Sequence, residues 1–252
     1  MTYNKGKLFV LGIGPGGIDY MTARSRYLIE TSDAVAGYKN YIELISSLIG
    51  DREIISTGMT REIERVDRAI DAAVSGKTVS LVCSGDSGIY GMAGLVYERM
   101  DIRNIHVEVE VSPGVTAGIA AGSILGAPLT NDFIIISLSD LLTPAETVKK
   151  RVMAAAQSDM VTAVYNPISK KRRELIEHLQ QQFLIFRDKS TPVGIVTHAL
   201  REGQRAEIRT LVNFLEADMN MNSILIIGCS DTYIINDKMV TRRGYQRKES
   251  KN

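Results

Sequence analysis

The stretch SGDSGIYGMAG (residues 84–94) places glycine at every third position, Gly85, Gly88, Gly91 and Gly94, directly after the apolar run TVSLVC. A glycine-rich loop behind a strand usually cradles phosphate, but this one carries Asp86 at its first turn and lacks the Gly-Lys-Ser/Thr ending of a P-loop. A carboxylate close to phosphate repels it. Asp86 suits a hydroxyl pair or an ammonium, from which it accepts hydrogen bonds, while glycines let backbone approach a flat or bulky ligand. The other reading of Asp86 is a cap on the helix that follows. Spacing alone leaves both open.

A second glycine motif, GIGPGG (residues 12–17), formally satisfies the dinucleotide fingerprint. That fingerprint also needs a helix opening on the motif and an acid at the end of the next strand. Here Pro15 stiffens the loop and Asp19-Tyr20-Met21 delays the helix. The next strand candidate, 34–36, runs into Gly37-Tyr38-Lys39 with no acid. An NAD-dependent dehydrogenase is therefore disfavoured, and the loop reads as a rigid wall beside a ligand. S-adenosylmethionine offers a ribose, an ammonium and a sulfonium but no phosphate, and it matches a glycine loop with a carboxylate in it.

The elements that must carry these loops alternate along the chain. Strand candidates are KLFVLGI (7–13), 34–36, 53–55, TVSLVCSG, HVEVEVSPG with Val107, Val109 and Val111 alternating, FIIIS (133–137), MVTAVYNP (160–167), PVGIVTH (192–198) and SILIIGCS (223–230). A helix is predicted over 22–30 with Thr22 as N-cap. Another spans 61–75, with Ile63, Val66, Ile70 and Val74 at helical spacing and Gly76 as its stop. Helical patterns separate most strands, so the class is α/β. We place a domain boundary at 113/114, giving 1–113 and 114–252, with the hinge sought in the small-residue region 113–130.

The 252 residues are 44% hydrophobic with a net charge of +1. One large domain or two compact ones fit that length. The charge balance gives no global field for nucleic acid. No apolar stretch is long enough to span a bilayer, and the N-terminus has no signal-peptide pattern. Cys83 and Cys229 are far apart and form no C-x-x-C pair, which argues against structural zinc and suits a reducing cytoplasm. Basic clusters at 149–151 and 170–173, and a tail with Arg242, Arg243, Arg247, Lys248 and Lys251, read first as solvated faces or a frayed terminus.

Five motifs in one order, GIGPGG, SGDSGIYGMAG, SPGVTA (112–117), YNP (165–167) and IIGCSDTY (226–233), resemble the tetrapyrrole methylases, two-domain S-adenosylmethionine-dependent enzymes of cobalamin and sirohaem synthesis. The resemblance runs from about residue 7 to 245. VAGYKNYIELI (35–45), LGAPLTNDFIIISLSDLLTP (125–144), YNPISKKR (165–172), TPVGIVTHALREGQ (191–204) and TRRGY (241–245) are similar to one branch of that family. This branch methylates C-17 of precorrin-3B or cobalt-factor III and contracts the ring. Two positions depart from the pattern: GNS is replaced by Gly228-Cys229-Ser230, and the Trp that commonly follows LTP is Ala145.

The resemblance implies the tetrapyrrole methylase fold rather than a Rossmann fold, with the cofactor in a cleft between two α/β domains, and a homodimer. Matched motif by motif, cofactor contacts fall on Pro15, Ser84, Gly85, Asp86, Ile89, Thr116, Ala117, Asn166 and Ala199. Gly14 and Gly16 line the substrate trough. Because the macrocycle bears acetate and propionate groups, Arg172, Arg173, Arg242 and Arg243 become candidates for forked carboxylate pairing. Ring contraction needs an acid/base group, and His198 and Asp231 stand at strand ends where a cleft could open. Their plainer readings are a strand-end histidine bonded to backbone and a turn or cap residue. Another methylase acting at a different ring carbon, or a cofactor-binding module without catalysis, are the alternatives.

Overall fold

A computed structural model describes residues 6–168 and 173–245. The chain divides into two compact units, Met1–Thr116 and Ala117–Asn252, a boundary between Thr116 and Ala117.

The first unit is built on a five-stranded, wholly parallel sheet: β1 (Lys7–Gly12), β2 (Ala34–Tyr38), β3 (Glu53–Thr57), β4 (Thr78–Cys83) and β5 (Glu108–Ser112), in the order β3-β2-β4-β1-β5. Parallel strands covered on both faces read as continuous apolar runs, which is why LFVL and SLVC carry no alternation. Leu8 and Val10 join one core, Phe9 and Leu11 the other. The first core is closed by α4 (Glu62–Val74) and α5 (Ala93–Ile102), the second by α1 (Ala23–Thr31), α2 (Lys39–Leu44) and α3 (Ser46–Ile49).

Helix α1 starts as expected: the Thr22 side chain accepts from Ser25 N at 3.2 Å. In α4 the buried stripe is Val66, Ala69, Ile70 and Ala73, while Ile63 and Val74 are exposed. The apolar spacing located the helix but put its two outer members on the wrong side, because alanines complete the inner face. Gly76, at φ +102°, closes α4, with its N–H and that of Lys77 bonded back to Ala73 O and Ala72 O.

The second unit holds α6 (Ala117–Leu125), β6 (Gly126–Ala127), β7 (Phe133–Ser137), α7 (Ala145–Gln157), β8 (Val161–Tyr165), α8 (Glu174–Phe186), β9 (Pro192–Thr197), β10 (Arg205–Thr210), β11 (Ser223–Ile227), β12 (Thr232–Ile235) and β13 (Lys238–Thr241). Its main sheet is mixed, in the order β10-β9-β11-β8-β7, with β7 and β8 parallel and β11 antiparallel to both β8 and β9. Helices α7 and α8 bury Val148, Val152, Ile176, Leu179 and Phe183 against one face.

A three-stranded sheet, β12-β13-β6, follows from a hairpin turned by Asn236 and Asp237, both at positive φ. Asn-Asp between TYII and KMV is a short-hairpin signal.

Candidate functional site

In the first unit, β1 and β4 are neighbours, yet the chain leaves β1 for α1 on one face and leaves β4 for α5 on the other. Adjacent parallel strands whose connections part to opposite faces mark the place where open α/β sheets bind ligands, beyond the carboxyl ends. Both glycine motifs sit there.

They are joined into one knot. Gly14 N donates to Gly85 O at 3.0 Å and Gly85 N to Gly14 O at 2.8 Å, with both residues in the left-handed region (φ +76° and +70°). Gly114, from the SPGVTA motif, packs backbone on backbone against them. A Cβ there would stand 2.1 Å from Gly85 O, and one on Gly12 would stand 2.6 Å from Gly114 N.

Asp86 fastens the knot. Its Oδ1 accepts from Gly88 N (2.8 Å) and Ile89 N (2.9 Å), and its Oδ2 accepts from Gly114 N (2.9 Å). Ser87 adds a buried hydroxyl bond to Ser112 O at 2.9 Å. Asp86 does not cap α5, which begins at Ala93; it closes a turn inside the loop. The N–H groups of Gly88 and Ile89 therefore point at a carboxylate and are not free to cradle phosphate.

Among the described residues Asp86 forms no ion pair, and its three partners are neutral amides. A half-buried, unneutralised carboxylate suits a cationic ligand, so the knot fits S-adenosylmethionine in charge.

Two of the four regularly spaced glycines are required by the structure. Gly85 needs its positive φ, and a Cβ on Gly91 would meet Ser87 O at 2.3 Å, whereas Gly94 has open space around it and Gly88 only ordinary contact. Around the knot Pro15, Gly14 and Gly16 are buried, Ser84 is half-buried, Ile89 is exposed, and Thr116 is buried where the unit ends. Burial pushes the Cys83 thiol up to about 11, which makes it a poor nucleophile.

The second unit gathers side chains at one end of its sheet. Because β11 runs antiparallel to β8 and β9, the C-terminal ends of β7, β8 and β9 share an end with the start of β11. Asn166 follows β8, and His198, Ala199 and Leu200 follow β9. Asn166, His198 and Leu200 all adopt left-handed backbone (φ +51°, +55° and +57°). Such residues cost about 1–3 kcal/mol each and concentrate at functional sites.

Each is tied down. Asn166 Nδ2 donates to Ser137 Oγ at 2.9 Å, and Leu200 N donates to Gln204 Oε1 at 2.8 Å. His198 N donates to Asn222 O at 3.2 Å, and its Nε2 lies 3.3 Å from Asn222 Nδ2. Tyr165 brings in the start of α6, its hydroxyl accepting from Gly118 N at 2.7 Å, so Ala117 stands at this same end. Neither Gly114, Ser137 nor Tyr165 was singled out from sequence, although each lies within or beside a motif.

The opposite end of the sheet holds the remaining candidates. Gly228, Cys229, Ser230 and Asp231 follow β11, about 15–20 Å from its start at ~3.3 Å per residue. Asp231 O accepts from Arg242 N at 3.0 Å, which puts Arg242 and Arg243 beside it. Asp231 and His198 are thus not brought together, and neither are Arg242 and Arg243 with Asn166. Cys229 sits in a turn closed by Thr232, whose Oγ1 accepts from Cys229 N at 2.9 Å, so the departure from GNS lies away from Asn166 and Ala199. Arg242 stacks 4.3 Å from the Tyr233 ring centroid.

Arg173 lies on the Asn166 side, next to the start of α8, and pairs loosely with Glu177 at 3.7 Å. Arg172 lies outside the described residues. Arg187, buried over the Phe183 ring, donates from its two terminal nitrogens to Gly228 O, Ala155 O and Met160 O, and burial lowers its pKa.

The family model for tetrapyrrole (corrin/porphyrin) methylases matches residues 7–214. A probable cobalt-factor III C(17)-methyltransferase of Salmonella typhimurium is 45% identical over 241 residues, covering 94% of this chain and 99% of that protein. A cobalt-factor III methyltransferase of Priestia megaterium is 45% identical over 252 residues, covering 98% of this chain; the chain spans about half of that protein, 47%. Among solved structures, the methyltransferase CobJ superposes with a TM-score of 0.86 at 27% identity, covering 94% of this chain and all of that one. The chain belongs to the tetrapyrrole methylases.

Proposed function

We propose that the chain transfers a methyl group from S-adenosylmethionine to C-17 of cobalt-factor III, or of precorrin-3B, with ring contraction, as a step of cobalamin biosynthesis. The observation that carries this reading is the 45% identity with the Salmonella protein across nearly the whole of both chains. The unneutralised Asp86 in a glycine knot at the sheet's switch point supports the choice of donor. The family resemblance further suggests a homodimer working in the cytoplasm. Among the described residues, no helix is long and apolar enough to cross a membrane.

When bound, S-adenosylmethionine supplies an electrophilic methyl group on a cationic sulfur. The chain's contribution is position. A backbone knot with no room for a single extra carbon holds Asp86 still, and fixed geometry supplies much of the rate in a two-partner displacement. Alkylation of an electron-rich ring carbon needs no strong base. Ring contraction does need a proton carrier, and of the two candidates His198 is better placed, since its Nε2 stands at the end shared with Asn166 and Ala199. Cobalt, where present, arrives with the substrate.

Incubation with S-adenosylmethionine and cobalt-factor III, followed by mass and carbon NMR analysis of the product, tests the reading. One added methyl at C-17 together with a contracted ring supports it. Methylation at another carbon, or at C-17 without contraction, moves the chain to a different branch of the family. No turnover with intact cofactor binding points to a module without catalysis.

A further inference from the structure

The loop after β7, LSDLLTP (residues 138–144), carries two leucines that no core claims. Leu142 is 100% exposed and Leu141 72% exposed. A single surface leucine needs no explanation, but two in succession on one loop tip do. The loop is anchored where Asn166 stands. Leu138 N donates to Tyr165 O at 3.0 Å, and Ser137 Oγ accepts both from Ser139 N (3.2 Å) and from Asn166 Nδ2 (2.9 Å). A cavity of about 80 Å³ there is lined by Leu138, Leu141, Asn166, Pro167, Ile168 and Met221, the last itself 58% exposed. The hydrogen bonds fix the base of the loop and leave its tip apolar and outward.

We infer that Leu141 and Leu142 form a substrate-contacting rim that packs on the face of the tetrapyrrole macrocycle. This rests on the functional reading above. The ring's carboxylates lie on its periphery and its faces are apolar, so an apolar contact beside Asn166 complements the face and leaves the carboxylates to other groups. The continuous tie from Leu138 through Ser137 to Asn166 places the rim with that end of the sheet and favours substrate over a second copy of the chain as its occupant.

The test is the double variant Leu141→Ser, Leu142→Ser in the full chain, read by absorbance titration with cobalt-factor III, calorimetry with S-adenosylmethionine and sedimentation velocity. Because both side chains are exposed, folding is expected to persist. Tetrapyrrole affinity should fall about tenfold or more, as expected for losing two buried leucines. Cofactor affinity should change by less than about twofold, and the sedimenting mass should stay unchanged. The Leu141→Met, Leu142→Met pair should recover wild-type affinity. Unchanged tetrapyrrole affinity overturns the rim. So does a smaller sedimenting mass with unchanged affinity, which would make the loop a contact between copies. A wild-type chain that binds no cobalt-factor III fails the functional reading itself and the rim with it, whereas a double variant that binds like wild type fails the rim alone.

Discussion

In the first unit the candidate site is made by removing side chains. Gly12, Gly85 and Gly114 bring three segments into backbone contact, and one carboxylate, Asp86, ties their N–H groups together. In the second unit the comparable end of the sheet is made by forcing side chains onto backbone that disfavours them, at Asn166, His198 and Leu200. The first device gives rigidity through close packing and leaves one negative charge. The second gives three differently shaped side chains in fixed directions, held by local hydrogen bonds. The contrast shows that Gly12, Gly85, Gly91 and Gly114 report how the chain packs on itself, while Gly88 and Gly94 do not.

The largest expected effect comes from adding one carbon to the knot. Gly114→Ala puts a Cβ 2.1 Å from Gly85 O, a clash with backbone that no rotamer relieves, and should destabilise the chain by about 3 kcal/mol or more, as in severe overpacking. Thermal denaturation checks this, with Gly88→Ala, where only ordinary contact awaits, as the benign control. The reverse change in the second unit should be nearly neutral. Leu200→Gly relieves about 1–2 kcal/mol of left-handed strain and gives back ~0.5–1 kcal/mol of chain entropy. A melting point within a few degrees of wild type is expected, and a collapse comparable to that of Gly114→Ala would erase the contrast.

Acid should separate the units more gently. In the first, the Arg99 hydrogen bond holds Asp67 below the usual carboxylate range, Thr78 backbone and side-chain bonds lower Asp33, and the Arg24 hydrogen bond lowers Glu110. In the second, Ser190 lowers Asp188. A depressed folded-state pKa gives stability that is fully present above the unfolded value and is lost as pH falls through the folded one. Stability should therefore decline below about pH 4, more in the first unit, and only modestly because these groups are at least partly open to solvent. Urea midpoints followed by hydrogen exchange between neutral and acid pH check it, and an equal loss in both units would count against it.

The smallest effect is expected at Arg242 and Arg243. Their place beside Asp231, at the end of the sheet away from Asn166, predicts that the paired Arg→Ala variant keeps its tetrapyrrole affinity at moderate salt. A severalfold loss would instead make them substrate contacts.

Strands such as LFVL and SILII, the Thr22 cap and the positions of both glycine loops were legible in the sequence because each depends on a few consecutive residues. The knot was not, since it requires residues near 12, 85 and 114 to meet. Nor was the separation of His198 from Asp231. Both follow apolar strands in the same way, and only the antiparallel setting of β11 puts them at opposite ends. The edge strand β10, RAEIRT, escaped notice because it is polar and partly exposed. The β12–β13 hairpin escaped although Asn236-Asp237 marks its turn. Asp86 stands out in the sequence as a ligand contact or a helix cap, and its closure of a turn inside the loop is visible only in the fold.

We propose that the charge on Asp86 draws a cationic methyl donor to the knot. Asp86→Asn keeps the side chain's shape and one acceptor oxygen for Gly88 and Ile89 while removing the charge, and it puts an amide nitrogen in place of the oxygen that accepts from Gly114 N. Calorimetric titration with S-adenosylmethionine, on wild type and variant with matched melting points, reads the loss of the charge together with that of the Gly114 bond. Binding to wild type is expected, with an affinity at least about tenfold weaker in the variant, the scale of one lost charge-assisted hydrogen bond. Equal affinities would contradict it and leave Asp86 as a fastener of the loop alone.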